Sequence, residues 1–184
     1  MNIVEKNISV NMECKDLGNI PYFPVPDSYT IRWYQPGYED LWIQIQSVAD
    51  KYSVITADLF RREFGEDPKA LSERQCFLFD HENVAVGTNT AWLDNDYHGE
   101  KYGRIHWVAI VPSSQGQGLS KPLLAVACRR LRDLGHAKAY LVTSTARIAA
   151  INLYLSFGFV PDIRKTDDAH IWAELKPYLK VSNI

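Results

Sequence analysis

The segment from Gly103 to Thr143 limits the possible folds, because it reads as a strand, a long helix and a second strand in succession. Gly103–Val111 carries the β-branched and aromatic residues of a strand. A helix is predicted from about Gly118 to Leu134, with Pro122 in its first turn, where a missing N–H loses no hydrogen bond. Tyr140–Thr143 is the second strand. Such a unit requires a parallel crossover within one sheet.

The patterns on either side predict further strands and helices. Apolar residues at helical spacing predict helices at 38–50, 56–64 and 147–157, and strands are predicted at 29–34, 75–79, 84–92, 159–160 and 170–175. The expected order is β-α-α-β-β-β-α-β-α-β-β. Because the three consecutive strands are joined by short turns, they are expected to be antiparallel neighbours. The predicted fold class is α/β (α+β), a mixed and largely antiparallel central sheet covered by helices.

The first 28 residues differ from the rest of the chain. They are polar with scattered apolar residues, and Pro21, Pro24 and Pro26 impose an extended, non-helical segment. We expect residues 1–28 to form an N-terminal extension, as an added edge strand or an arm, which is also compatible with a homodimer. Residues 29–184 are expected to form a single domain, since the chain of 184 residues fits one domain.

Composition and charge argue against several classes of protein. The formal net charge is −2 and the basic residues form no stripe, so nucleic acid is not an expected partner. No apolar run approaches the roughly 20 residues that span a bilayer, and the N-terminus has no signal-peptide pattern. Three scattered cysteines (Cys14, Cys76 and Cys128) fit a reduced, cytoplasmic protein, and no spacing of ligand residues suggests a metal.

A glycine-rich stretch stands between the central strand and the long helix. It reads Gln115-Gly116-Gln117-Gly118-Leu119-Ser120. Glycines there allow a tight turn with free N–H groups ahead of a helix N-terminus, an arrangement suited to a pyrophosphate. A dinucleotide-binding fingerprint would need glycine where Lys121 stands, and the Gly-Lys-Ser/Thr of a nucleotide-binding P-loop is absent. By itself the glycine pair is equally consistent with an ordinary tight turn.

Three motifs together resemble the GNAT superfamily of acetyl-CoA-dependent N-acetyltransferases. The glycine-rich stretch is similar to the family's Gln/Arg-x-x-Gly-x-Gly/Ala motif, although Ser120 replaces the usual Gly or Ala. Ile110-Val111-Pro112 stands where the family has Val-x-Pro. The stretch from Ala150 to Phe159 resembles the family's Ala-x-x-Leu-Tyr-x-x-x-Gly-Phe ending, while Arg147 stands where many members have Asn. The resemblance implies a GNAT-like sheet with helices on both faces and acetyl-CoA as co-substrate.

The resemblance also implies residues that contact acetyl-CoA and residues that carry the reaction. The expected cofactor-binding residues are Val108, Ala109, Ile110, Gln115, Gly116, Gln117, Gly118, Leu119, Ser120, Asn152 and Tyr154. His106 aligns with a family position that often holds Glu and is the hypothetical base. Regular alternation would place His106, Val108 and Ile110 on one face and Trp107 and Ala109 on the other. The N–H of Ile110 is the candidate oxyanion donor, and Tyr154 is the candidate acid for the departing thiolate.

Several of these roles have structural alternatives. His106 is equally consistent with an imidazole that merely lines the cleft, and Asn152 with a solvent-facing helix residue. The alternative for Tyr154 is a packed helix residue, although the surrounding motif favours the functional role. Four of the five tryptophans are expected in the core: Trp33, Trp42, Trp92 and Trp107.

The predicted activity is acetyl transfer to a primary amine by direct attack in a ternary complex, and no Gly-x-Ser-x-Gly nucleophile motif is present. The acceptor, a small molecule or a peptide amine, is not identified. Transfer of another acyl group and a catalytically silent acyl-CoA-binding module are the competing interpretations.

Overall fold

The computed structural model describes residues 2–180, in which seven strands form one sheet. The strands are β1 (Ser9–Cys14), β2 (Thr30–Trp33), β3 (Gln75–Phe79), β4 (Ala85–Tyr97), β5 (Glu100–Ile110), β6 (Ala139–Ser144) and β7 (Val160–Pro161). Their order across the sheet is β2-β3-β4-β5-β6-β1-β7. The helices are α1 (Tyr38–Ala49), α2 (Ala57–Phe64), α3 (Pro68–Arg74), α4 (Ser120–Asp133), α5 (Ile148–Leu155) and α6 (Thr166–Leu175). This mixed, mostly antiparallel sheet confirms the predicted fold class.

The chain divides into two compact units. The first unit consists of residues 2–21, 93–104 and 131–180, and the second of residues 22–92 and 105–130. The division of the sequence after residue 28 stays a prediction.

In the second unit, β3 is buried on both of its faces, which explains the apolar run of its last four residues, from Cys76 to Phe79. Phe77 and Phe79 join one cluster with Trp42, Ile45 and Phe60 from α1 and α2. Cys76 and Leu78 join another with Leu119 and Leu123 at the start of α4. Helices therefore cover both faces of the sheet in this unit, as expected. Trp42 is fully buried, while Trp33, Trp92 and Trp107 pack against these clusters, which confirms their place in the core.

The predicted helix boundaries in the second unit agree with the structure for physical reasons. Thr56 caps α2 by accepting from the N–H of Leu59, and Gly65 ends the helix with a φ of +72°. Helix α1 ends at Ala49, one residue earlier than predicted. Helix α4 begins at Ser120, so Pro122 lies in its first turn.

In the first unit, an N-terminal strand occupies the interior of the sheet. β1 pairs antiparallel with β6 from Ser9 opposite Ser144 to Cys14 opposite Ala139, and it also pairs with β7. It is therefore neither an edge strand nor a loose arm. Its buried residues Val10 and Met12 alternate with polar ones, a signal too short to be recognised in the sequence.

Two further elements differ from the sequence predictions. The segment His170–Leu175, expected as a strand, is the second half of helix α6. Its buried residues Trp172 and Leu175 are three apart, which is helical spacing, and Asp168 caps the helix by accepting from the N–H groups of Arg164 and Lys165.

Helix α3 was not anticipated. It has only seven residues and buries only Leu71, so the sequence shows no repeating apolar pattern. Asp67 caps it and Pro68 begins it.

Candidate active site

The glycine-rich loop has the conformation that its sequence requires. Gly116 and Gly118 have φ angles of +77° and +78°, and a side chain at either position would meet open space. Within residues 2–180, the N–H groups of Gly116, Gln117, Gly118 and Leu119 donate to no protein acceptor. Because these donors lie immediately before the 14-residue helix α4, the loop and the positive end of the helix dipole suit an anionic group.

Two glutamines hold this loop in place. The Gln115 side chain donates to the carbonyl oxygen of Ile110 at 2.9 Å, which ties the loop to the end of β5. The Gln117 side chain accepts from the Tyr29 hydroxyl at 2.8 Å and lies 3.4 Å from the carbonyl of Ser113. The loop is thus preorganised while its N–H groups stay available, which fits a pyrophosphate ligand.

Strand β5 contains a backbone irregularity beside the loop. Trp107 has a φ of +53°, an uncommon value for a bulky residue. Its carbonyl oxygen accepts from the side-chain amide of Gln46, a buried residue of α1, at 2.9 Å. This contact stabilises the bend that a regular strand would not contain.

The bend changes which side chains of β5 face together. His106 packs edge-on against Phe64 of α2, and Trp107 packs against Trp42 of α1, so both lie on the α1–α2 side with Ala109. Ile110 lies on the opposite side with Leu119 and Leu123. The prediction that His106 and Ile110 share a face opposite Trp107 was therefore wrong, because the positive φ at Trp107 interrupts the alternation.

The consecutive residues His106 and Trp107, whose side chains share one face, are called the β5 bulge from here on. Glu63 contacts both of them and was missed in the sequence. Its Oε2 atom accepts from Trp107 Nε1–H at 3.1 Å and lies 3.0 Å from His106 Nε2. Glu63 lies four residues after Leu59 and three after Phe60, so it shares their helix face, and both of those residues are buried. A carboxylate on an apolar helix face was the signal that could have identified it.

Asn152 and Tyr154 lie on α5, in the first unit. The Tyr154 side chain is buried and packs near the ring of Phe159. The Asn152 side chain donates to Ile148 and accepts from the N–H of Lys180 at 2.7 Å, so it connects α5 to the segment that follows α6. The roles of both residues toward a cofactor stay predictions.

The other site residues of the second unit lie where β5 leads into α4. Val108, Ala109 and Ile110 are the last three residues of β5, and Leu119 is buried just before Ser120 opens the helix. His106 and the glycine loop therefore lie at opposite ends of the short segment that leads from β5 into α4.

None of the helices among residues 2–180 combines the length and the apolar character needed to cross a bilayer.

Comparison with known proteins points to one family. Residues 30–159 match the Acetyltransferase (GNAT) family. A mycothiol acetyltransferase of Thermomonospora curvata is 29% identical over an alignment of 148 residues, which covers 76% of this chain and 47% of the relative. The chain thus spans about half the length of the curated relatives that it matches.

Solved structures share the fold. A GCN5-related N-acetyltransferase from Sphaerobacter thermophilus aligns with a TM-score of 0.67 at 19% identity, covering 84% of this chain and 48% of that one. The ribosomal-protein-S18-alanine N-acetyltransferase of Escherichia coli aligns with a TM-score of 0.61 at 21% identity, covering 76% of this chain and 86% of that one.

Proposed function

Because the chain belongs to the acetyltransferase (GNAT) family, we propose that it transfers the acetyl group of acetyl-CoA to a primary amine by direct attack in a ternary complex. The observation that carries this proposal is the preorganised loop with N–H groups of Gly116 to Leu119 that no protein acceptor occupies within the described chain. Acetyl-CoA is the co-substrate, and its thioester provides the activated acetyl group. A cytoplasmic location and a homodimer stay predictions.

The loop has the chemistry that the pyrophosphate of acetyl-CoA requires. Its backbone N–H groups donate to phosphate oxygens, and the N-terminus of α4 favours their negative charge. Ser120 adds a hydroxyl at the first residue of the helix. We assign Val108, Ala109 and Ile110 to the pantetheine arm, because they lead from the bulge to the loop.

The reaction needs two side chains for proton transfer and one backbone group to polarise the thioester carbonyl. An alkyl ammonium has a pKa near ~10.4, so it must lose a proton before it attacks, and we assign this step to His106. The N–H of Ile110 is assigned to polarise the thioester carbonyl. Tyr154 is assigned to return a proton to the thiolate. The placement of His106 at the bulge supports the first assignment, since a bulge re-aims side chains at functional sites.

The first experiment is calorimetric titration of acetyl-CoA and CoA, followed by thiol release with a panel of amines. Micromolar binding with thiol release on one amine class is the expected result. Binding without release would favour the silent acyl-CoA-binding module, and faster turnover of a longer acyl-CoA would favour another acyltransferase. A folded protein that binds neither compound would refute the proposal.

A matched pair of variants tests the loop itself. Gly118→Ala introduces a Cβ at a φ of +78°, which costs about 1–2 kcal/mol, so acetyl-CoA affinity is expected to fall roughly 5- to 30-fold. Gly99→Ala imposes the same strain at a φ of +80° in the β4–β5 turn. Equal affinity losses in the two variants would contradict the assignment of the loop.

The base assignment has its own test. His106→Gln is expected to lower turnover by about 10²-fold or more near neutral pH. Turnover close to that of the wild type across the pH range would show that another group takes the proton.

A further inference from the structure

We infer that Glu63 is a positioning residue, which sets the tautomer of His106 and stabilises its protonated form. This inference rests on the proposed function, in which His106 is the base. Glu63 lies in the last turn of α2, and this helix is held by its buried residues Leu59, Phe60 and Phe64. The carboxylate is therefore placed by a rigid element rather than by a loop.

The hydrogen bonds determine which nitrogen of His106 carries a proton. Trp107 Nε1 is a donor only, and it contacts the same Oε2 atom that lies 3.0 Å from His106 Nε2. An ionised carboxylate only accepts hydrogen bonds, so His106 Nε2 must carry a proton and donate it. In the neutral imidazole the basic lone pair is then on Nδ1.

The charge of Glu63 has a second effect. The His106 side chain is only 8% exposed, so protonating it without a nearby anion would be unfavourable. The carboxylate offsets this penalty because it lies in direct contact with the ring. Arg62 is a further charged group near this pair, with its Nε atom 3.9 Å from Glu63 Oε1 on a side chain that is 72% exposed. At that exposure, solvent screens its charge more strongly than that of Glu63.

The proposed step is a single proton transfer. One N–H bond of the substrate ammonium breaks and an Nδ1–H bond forms on His106, which leaves a neutral amine and an imidazolium. The imidazolium stays paired with the Glu63 carboxylate through Nε2–H. Glu63 itself gains no proton and need not touch the substrate.

Nuclear magnetic resonance of the imidazole nitrogens tests the effect of Glu63 on His106 in the free protein, without any substrate. In the wild type, neutral His106 is expected to carry its proton on Nε2. Glu63→Gln keeps the size of the side chain and removes its charge, so the titration midpoint of His106 is expected to fall by about one pH unit. Glu63→Asp keeps the charge with a shorter reach and is expected to retain most of the wild-type midpoint.

The control is Glu66→Gln, which removes an exposed carboxylate just beyond α2, 3.9 Å from Arg61, and should leave the midpoint unchanged. An Nδ1–H tautomer in the wild type, or an unchanged midpoint in Glu63→Gln, would overturn the inference.

Kinetics provide a second readout. In Glu63→Gln, the acid limb of the kcat/KM profile is expected to move to lower pH with the resonance midpoint, and kcat is expected to fall on the order of tenfold. A fall in kcat with an unshifted acid limb would indicate a merely structural role. If the wild type acetylates no amine, the proposed function fails, while the resonance data still decide whether Glu63 orients His106.

Discussion

At the residue scale, Tyr154 has both a packing role and a proposed chemical one. Its side chain is 7% exposed and packs near Phe159. The hydroxyl is the only part of the side chain that can return a proton to a thiolate. Removing only this oxygen therefore separates the two roles.

For Tyr154→Phe we expect kcat to fall by about 10²-fold, because the acid is lost, while acetyl-CoA binding changes less than about twofold. Steady-state kinetics and calorimetry measure the two effects. Tyr178→Phe, the same change at an exposed residue of the same unit, serves as the control. Unchanged kcat in Tyr154→Phe at every pH would remove its assignment as the acid.

Asp162 is a second residue of interest, because its buried carboxylate is the centre of a hydrogen-bond network. Its carboxylate is 2% exposed and contacts three groups: the Tyr97 hydroxyl at 2.7 Å, His98 Nε2 at 2.9 Å and Arg164 Nε at 2.5 Å. Burial would raise the pKa of Asp162, but these hydrogen bonds outweigh burial and hold it below its usual value.

We expect Asp162→Asn to lower the free energy of unfolding by about 2–4 kcal/mol at pH 7, since a buried charge-assisted network loses its acceptor. Urea denaturation measures this change. Asp167→Asn, at an exposed position, should cost less than about 1 kcal/mol. Equal losses in the two variants would argue that the network contributes nothing.

At the scale of elements, the bulge in β5 depends on α1. The Gln46 side chain is buried, and its amide supports the Trp107 carbonyl at the point where the strand bends. Without this donor, the partly buried Trp107 carbonyl would lose a hydrogen-bond partner.

Gln46→Leu is expected to lower the free energy of unfolding by about 1–3 kcal/mol for that reason. It should also reduce turnover, because Trp107 adjoins His106. Chemical denaturation and kinetics are the measurements, with Gln44→Leu on the exposed face of α1 as the control. A stable and fully active Gln46→Leu protein would show that the bulge is maintained without this contact.

The segment before β2 is a second element with a defined role. The Phe23 ring lies 5.2 Å from the ammonium of Lys121, the Tyr22 ring lies 5.2 Å from the guanidinium of Arg129, and Tyr29 bonds to Gln117. This segment therefore packs along α4 and reaches the glycine loop.

Tyr29→Phe removes one exposed hydrogen bond to the loop. We expect acetyl-CoA affinity to fall by about two- to fivefold, with the free energy of unfolding changed by less than about 1 kcal/mol. Calorimetry of Tyr29→Phe beside Tyr22→Phe tests this, because the Tyr22 hydroxyl makes no hydrogen bond to the loop in the described residues. Equal acetyl-CoA affinities in the wild type, Tyr29→Phe and Tyr22→Phe would mean that the loop does not depend on the hydrogen bond between Tyr29 and Gln117.

At the scale of the whole molecule, several carboxylates respond to acid in the same direction. Hydrogen bonds from backbone and tyrosine groups lower the pKa of Asp94, and at Glu39 such bonds outweigh the opposing effect of burial to lower the pKa as well. The pKa of Asp162 is lowered as well. When a carboxylate has a lower pKa in the folded state, the unfolded state binds more protons as the pH falls.

Stability from these groups is therefore fully present above their ordinary pKa values near ~4 and is lost as the pH falls through the lowered ones. We expect the free energy of unfolding to decline steadily from about pH 4.5 to pH 3. Urea denaturation at a series of pH values measures the slope, and a double variant, Asp94→Asn with Asp162→Asn, should flatten it. If the free energy of unfolding fell equally steeply with pH in the double variant, Asp94 and Asp162 would not be the groups responsible for the decline.

Local signals in the sequence were sufficient for much of the fold and for the family. Thr56, Gly65 and Pro122 define helix ends through their own capping and backbone preferences, so α2 and the start of α4 were predicted closely. The glycine loop was also readable, because only glycine adopts a positive φ there without strain. Helices α3 and α6 were missed or misassigned because they bury too few residues to show a period. Strand β1 was not placed correctly because its alternation covers only six residues.

The arrangement around His106 was decided by the tertiary structure alone. The sequence by itself determined which residues are able to bind a pyrophosphate and exchange protons, because those properties belong to residue type and local spacing. Only packing against α1 and α2 brings Gln46 to the Trp107 carbonyl and Glu63 to His106, across 61 and 43 positions of the chain. The free energy that maintains the unfavourable φ of Trp107 comes from these long-range contacts, and no local pattern encodes them.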